Sequence, residues 1–85
     1  MPATDELVDW LARTALGDAR AFERLYHATS PRLDAVALRL VHRRDWAEDI
    51  LQECYVKIWH HAGDYRVDAS APLTWLTQIV RNRCL

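Results

Sequence analysis

Apolar residues recur at intervals of three and four positions along almost the whole chain, the spacing of one buried face on an α-helix. The first such segment predicts an amphipathic helix from Thr4 to Leu16, with Thr4 as its N-cap. Gly17 is the expected C-terminal stop, and Asp18 is the expected N-cap of a second helix.

The second segment keeps its apolar phase through Pro31 as far as Val41. Because proline has no N–H and its ring clashes with the preceding turn, Pro31 must either kink this helix or begin a new one capped by Ser30. The uninterrupted phase favours a single kinked helix.

A third helix is predicted to open at Asp45, where Glu48 completes a variant of the capping box, and to close at Gly63 in left-handed geometry. Tyr55 is expected on the flank of its buried stripe. The stripe itself consists of Ala47, Ile50, Leu51, Cys54 and Ile58.

After an irregular loop, Ser70 or Ala71 is expected to cap a fourth helix, with Pro72 tolerated in its first turn. The apolar side of this helix consists of Trp75, Leu76, Ile79 and Val80. The pattern continues to Leu85 without a stop signal, which favours an excised domain of a longer protein.

Composition narrows the fold class. A chain of 85 residues has room for one core, and 2 Gly and 3 Pro provide few of the tight turns that β-structures need. We therefore expect an all-α protein, a compact bundle of three to four helices, as a single domain over residues 1–85. The predicted core residues are Phe22, Leu25, Val36, Leu40, Ile50, Cys54, Ile58, Leu76 and Ile79.

No stretch approaches the roughly 20 apolar residues that span a bilayer, and the N-terminal segment lacks the basic and then apolar order of a signal peptide. The two cysteines, Cys54 and Cys84, both lie in helical patterns. This usage predicts a cytoplasmic protein with reduced thiols.

The formal net charge of −1 conceals an uneven distribution. Residues 48–68 contain five acidic and two basic residues, whereas residues 69–85 contain two basic residues, Arg81 and Arg83, and none that are acidic. Such segregation is typical of a molecule with two different partners.

Candidates for catalysis or metal binding are weak. Cys54 lies on an apolar stripe, where a small buried hydrophobe is the ordinary interpretation. His60 and His61 are adjacent and project about 100° apart on a helix, so they pair poorly with Cys54 or Cys84 as zinc ligands. We expect no enzyme activity, no cofactor, no metal and no small-molecule substrate.

The outer face of the third helix is acidic. Its members are Glu48, Asp49, Gln52 and Glu53. A solvated surface is the default interpretation of such a face. Docking of a basic protein surface is the alternative, because the apolar stripe behind these residues holds them rigidly.

The fourth helix also permits two interpretations. Trp75 is either a core residue or a platform on which an unpaired base stacks, next to Thr74, Gln78, Arg81 and Asn82. The loop before it, residues 65–70, has donors and acceptors that suit the edge of a flipped base. Composition alone leaves both open.

Four motifs occur in order between Gly17 and Leu85. They are GDARAFERLY at residues 17–26, AEDILQE at 47–53, Trp59, and TWLTQIVRNR at 74–83. Together they closely resemble region 2 of bacterial RNA polymerase sigma factors, above all the extracytoplasmic-function (ECF) group.

The resemblance implies a role for each surface. The helix with the AEDILQE motif would dock on the coiled coil of the polymerase β′ subunit, through Glu48, Asp49, Gln52 and Glu53. The following loop and last helix would recognise and hold open the non-template single strand of the minus-ten promoter element. The implied DNA-binding residues are Tyr65, Arg66, Asp68, Ser70, Thr74, Trp75, Gln78, Arg81 and Asn82. Charge alone adds Arg39, Arg43 and Arg44 as candidate phosphate contacts.

The resemblance covers region 2 only. Region 4, a helix-turn-helix domain that follows in full-length members of the family, is absent from this sequence. An anti-sigma factor is an implied further partner, so a module bound mainly by such a regulator is the alternative function. A metal or redox switch at His60, His61, Cys54 or Cys84, and a duplex-binding helix-turn-helix, are weaker alternatives.

Overall fold

Four α-helices account for most of the computed structural model, which describes residues 2–85. They are α1 (Thr4–Ala15), α2 (Ala19–Val41), α3 (Arg44–His61) and α4 (Pro72–Cys84). A 3₁₀ turn, Ala62–Asp64, follows α3 directly. The all-α fold class is confirmed, and residues 2–85 contain no strand.

The long helix α2 is central, since it packs against each of the other three helices. Its buried positions include Leu25, Leu33 and Ala37, all fully shielded from solvent. α2 runs through Pro31 without interruption, so the prediction of a single helix across the proline is confirmed. The Cα radius of gyration is 12.1 Å, close to the value of about 12 Å expected for a compact domain of this length.

The boundary between α1 and α2 follows the sequence signals. Gly17 has φ +87°, the left-handed conformation that only glycine adopts without strain. The Asp18 carboxylate accepts hydrogen bonds from the backbone N–H groups of Arg20 and Ala21, which makes it the N-cap of α2. Both predictions are confirmed.

Three predicted helix ends are wrong. α1 has Ala3 as its N-cap, so Thr4 is its first residue and not its cap. α3 begins one residue before Asp45, because the Asp45 carboxylate is held by the Arg43 guanidinium at 2.7 Å and not by the backbone. Gly63 lies inside the 3₁₀ turn and is not left-handed.

The left-handed residue that turns α2 into α3 is His42, with φ 59°. Its backbone N–H donates to the carbonyl of Leu38 and closes α2. A non-glycine residue in this conformation has no distinct sequence signal, although histidine tolerates it better than most residues.

The predicted core is largely correct. Leu25, Ile50, Cys54, Ile58 and Leu76 are buried. Phe22, Val36 and Ile79 are only half-buried and pack against the edge of the core.

Leu40 was predicted to be in the core and is not, since it is 37% exposed. It lies in the last turn of α2, where Leu38 and Val41 are the residues that pack against the core. Tyr55 is more buried than predicted: it was expected on the flank of the buried stripe, but it is only 5% exposed.

The hydroxyl of Tyr55 finds a partner inside the core. It lies 2.6 Å from Oγ1 of Thr29, and the Thr29 hydroxyl also donates to the carbonyl of Leu25 at 2.7 Å. Because Thr29 has a single hydroxyl proton, the Tyr55 hydroxyl is the donor between the two side chains. This bond joins α2 to α3 across the centre of the bundle.

Candidate functional site

The predicted acidic face is exposed along α3. Glu48, Asp49, Gln52 and Glu53 all lie on the solvent side of the helix. They are held there because the opposite stripe, including Ala47, is buried against α2 and the rest of the core.

An open groove of about 390 Å³ runs between this face and α2. Its two charged side chains are both carboxylates, Asp34 and Glu48. The other lining residues are Tyr26, Ser30, Pro31, Leu51, Gln52 and Tyr55. The groove, called the acidic groove below, has the electrostatics to receive a basic side chain of a protein partner.

Glu53 differs from the other residues of the acidic face. Its carboxylate accepts a hydrogen bond of 2.6 Å from Nε of Arg83, on α4. The pair is about half-exposed, and it raises the pKa of Arg83 further above its usual range. Arg83 therefore belongs to a contact between α3 and α4, and its charge is compensated within the domain.

An aromatic patch beside the acidic face was not predicted as a site. It is a shallow, almost wholly apolar depression of about 420 Å³ formed by α2 and α3. The residues that line it are Phe22, Tyr26, Gln52, Tyr55, Val56 and Trp59. Phe22 packs edge-on against Trp59, with ring centroids 5.3 Å apart. The sequence signal was the i, i+4 spacing of aromatics on both helices, which also fits a buried seam.

A second groove, of about 720 Å³, lies on another side of α2, where α4 packs against it. It brings together four predicted DNA-binding residues, Thr74, Gln78, Arg81 and Asn82. Arg32 of α2 also lines it, and sequence reasoning missed this residue. This surface, called the α2–α4 groove below, combines cations with amide and hydroxyl groups and suits a polynucleotide strand.

Trp75 is only half-buried and packs against Tyr65 of the preceding loop, with ring centroids 5.5 Å apart. The Tyr65 hydroxyl donates to the carbonyl of Ser70 at 2.7 Å, and burial raises the pKa of Tyr65. These contacts fix the loop to the start of α4.

Arg66 and Asp68 are exposed at the tip of this loop and pair with each other, with both hydrogen bonds at 3.3 Å. The Arg66 guanidinium lowers the pKa of the Asp68 carboxyl. Neither the four predicted loop residues nor Trp75 line the α2–α4 groove, so the groove holds four of the nine predicted DNA-binding residues.

Arg43 and Arg44, the basic residues between α2 and α3, are partly neutralised by ion pairs. Arg43 binds Asp45 and lies 4.1 Å above the ring of Trp46, and Arg44 approaches Asp34 at 3.9 Å. Hydrogen bonding to Arg43 lowers the pKa of Asp45. Arg39 is exposed and has no ion pair within residues 2–85.

The cysteine and histidine candidates lie apart from both grooves. Burial raises the pKa of the Cys54 thiol to about 11, so this thiol is protonated at neutral pH and is a poor nucleophile. His61 binds the exposed Asp64 carboxylate at 3.0 Å. Over residues 2–85, no three His, Cys, Asp or Glu side chains converge as a metal site. None of the helices in this part of the chain is both long and apolar enough to cross a membrane.

The sigma-70 region 2 family model matches residues 25–85, which include both grooves. The chain belongs to this family.

Curated relatives point to the same class. The chain is 29% identical over 82 residues to the ECF RNA polymerase sigma factor SigK of Mycobacterium ulcerans (strain Agy99), a match that covers 96% of this chain and 44% of the relative. The SigK protein of Mycobacterium sp. (strain KMS) is also 29% identical, with 96% and 42% covered. The SigK protein of Mycobacterium bovis (strain BCG / Pasteur 1173P2) is 27% identical over 75 residues, with 88% and 40% covered.

These relatives confirm the predicted resemblance to region 2 of ECF sigma factors. The chain spans less than half the length of the curated relatives it matches. No solved structure matches it.

Proposed function

We propose that this domain acts in transcription initiation by binding RNA polymerase core with one surface and promoter DNA with another. The observation that supports this most is the separation of its charges. The acidic groove is lined by two carboxylates, of which Asp34 has Arg44 at 3.9 Å just outside the lining, and the α2–α4 groove is lined by two arginines and no carboxylate side chain.

The polymerase-binding surface is the acidic face of α3. Glu48 and Gln52 line the acidic groove, and Asp49 extends the face outward on the same rigid helix. Glu53 contributes less, because Arg83 already compensates its charge. The partner is a basic, helical surface on polymerase core, which we assign to the β′ coiled coil.

The DNA-binding surface is the α2–α4 groove together with the loop at residues 65–70. The amides of Gln78 and Asn82 offer donors and acceptors to base edges, and Arg81 offers a cation to the backbone. The ligand is the non-template strand of the minus-ten element. The domain works by binding and not by catalysis, since capture of flipped bases displaces the melting equilibrium toward open DNA. This role would place the domain in the bacterial cytoplasm.

The docking assignment is tested with the double variant Asp49→Ala/Gln52→Ala. Both side chains are exposed, so the fold should survive and the helical circular dichroism should be unchanged. We expect roughly tenfold weaker binding to polymerase core, which corresponds to about 1.4 kcal/mol.

The matched control is Glu6→Ala, which removes one exposed carboxylate from α1 and should leave the affinity for polymerase unchanged. Equal affinities for the double variant and the unmodified chain would contradict the docking role of α3.

A second candidate partner, an anti-sigma regulator, is favoured by the aromatic patch. Val56 is 60% exposed within it, and the patch adjoins the acidic face through Gln52. Exposed apolar patches of this kind mark protein interaction sites. A regulator that binds there would compete with polymerase, so Val56→Asp should weaken regulator binding.

A further inference from the structure

The α2–α4 groove has a wall on α2 that the motif-based assignment of DNA contacts does not include. Arg32 lines this groove together with Arg81 of α4, and these two arginines are its only charged side chains. No carboxylate side chain lines the groove, so no lining side chain compensates the charge of the two arginines.

The arginines that line this groove have no intramolecular ion pair within residues 2–85. Five arginines of residues 2–85 have a carboxylate within 4.0 Å, namely Arg13, Arg43, Arg44, Arg66 and Arg83. Arg32, Arg39 and Arg81 have none within the same residues, and neither do Arg20 and Arg24 in the first turns of α2. A cation without an acidic neighbour remains available to an external anion.

Helical geometry aligns these free cations. Arg32, Val36 and Arg39 follow i, i+4, i+7 spacing, so they lie on one face of α2, with about 10 Å of helix axis between the two arginines. Arg32 and Val36 line the α2–α4 groove, and Arg39 continues the same face beyond it. The result is a cationic stripe on α2 that begins in the α2–α4 groove and continues beyond it.

We propose that Arg32 and Arg39 form a phosphate-binding wall on α2, which holds the sugar–phosphate backbone of the single strand whose bases face α4. The two helices then bind different parts of the strand. The arginines of α2 neutralise phosphates without regard to sequence, and the amides of Gln78 and Asn82 on α4 contact bases. This inference rests on the proposed function of the α2–α4 groove as a DNA site.

The salt dependence of binding tests this wall directly. Each phosphate contact on a single strand contributes a slope of about −0.7 to a plot of log Kobs against log salt concentration. Arg32→Ala should therefore flatten the slope by about 0.7 and weaken binding about fivefold at 0.1 M salt. The double variant Arg32→Ala/Arg39→Ala should flatten it by about 1.4, and Arg32→Lys should restore most of the loss.

The experiment uses this chain, whose described residues enclose their own core with no buried side-chain polar atom left without a partner. Binding is measured by fluorescence anisotropy with a short labelled single-stranded oligonucleotide, selected from a randomised minus-ten-like pool, and with its scrambled version. The control Arg20→Ala removes an exposed arginine without an ion pair from α2, about 120° around the helix from Arg32. It should change neither the slope nor the affinity.

The outcomes separate the two proposals. The phosphate wall is overturned, and the DNA role of α4 survives, in either of two cases. In the first, the unmodified chain binds the oligonucleotide but Arg32→Ala leaves the salt slope unchanged. In the second, Arg20→Ala flattens the slope and weakens the binding as much as Arg32→Ala does. If Asn82→Ala changes the preference between the two oligonucleotides while Arg32→Ala changes only the slope, the proposed division holds. If the unmodified chain binds neither oligonucleotide at low salt, both proposals fall.

Discussion

At the scale of single residues, the most consequential contact is the hydrogen bond between Thr29 and Tyr55. Both side chains are buried, and the bond is the means by which a tyrosine hydroxyl is accommodated in an otherwise apolar core. A buried polar group without a partner costs more than its hydrogen bond contributes when it is made. The pair therefore fixes the register of α2 against α3 as well as stabilising it.

We predict that Thr29→Val lowers the free energy of unfolding by about 1–3 kcal/mol, because it leaves the Tyr55 hydroxyl without an acceptor. Urea denaturation measures this. The matched control is Thr14→Val, since Thr14 is also buried and its hydroxyl donates only to the carbonyl of Trp10. Thr14→Val should lower the free energy of unfolding by less than about 1 kcal/mol. Equal costs at the two positions would show that the Tyr55 contact contributes nothing.

At the scale of elements, the two prolines of the described helices occupy contrasting positions. Pro72 is the first residue of α4, where its missing N–H has no helical partner in any case. Pro31 lies in the middle of α2, where the same missing N–H removes a backbone hydrogen bond. α2 tolerates this because its packing against three helices outweighs the local loss.

Pro31→Ala is therefore expected to raise the free energy of unfolding, by up to about 3 kcal/mol, since the side chain is exposed and no core contact is lost. Thermal or urea denaturation checks the result. Pro72→Ala is the control, and it should be neutral or destabilising because Pro72 is buried and well placed. A destabilised Pro31→Ala variant would mean that the proline geometry itself supports the bundle.

At the scale of the whole molecule, the core contains two groups that resist ionisation. Burial raises the pKa of Cys54 to about 11 and that of Tyr55 to about 12. In the unfolded chain these groups lose their protons near their ordinary values of 9.0 and 10.0. The folded state therefore binds more protons than the unfolded state in this range, and stability falls as pH rises.

We predict that the free energy of unfolding is constant with respect to these two groups below pH 9, decreases from about pH 9, and levels off above about pH 12. Urea titrations at a series of pH values measure the slope. Cys54→Ala should remove the part of the decrease that lies between about pH 9 and 11. A slope identical to that of the unmodified chain would show that Cys54 ionises without unfolding.

Much of this fold was predictable because local and global signals agree. Gly17 and Asp18 mark a helix boundary by backbone freedom and by capping, and each acts within a few residues. The predicted N-cap at Asp45 was wrong because the neighbouring Arg43 guanidinium competes for its carboxylate. The predictions for Tyr55 and Leu40 were wrong because burial depends on how the helices pack against one another, which the periodicity of a single helix does not contain.

The candidate site, like the fold, was predictable from the sequence only in part. The exposure of the acidic face followed from the position of its residues opposite the apolar stripe on α3. Arg32 was missed because it lies forty positions before the start of the last helix in sequence, and only the packing of α2 on α4 brings it into the groove. The pairing of Glu53 with Arg83 likewise joins residues that no local pattern connects.

Pro31 and Arg32 are consecutive residues of α2, yet Pro31 lines the acidic groove and Arg32 lines the α2–α4 groove. Consecutive residues project about 100° apart on a helix, so the two surfaces lie on different sides of α2. The two grooves share no lining residue, so a ligand in one does not occupy the other, as simultaneous binding of an enzyme and a nucleic acid requires. A single antagonist that binds both surfaces must instead contact two sides of α2. It needs a basic segment for the acidic groove and an acidic segment for the α2–α4 groove.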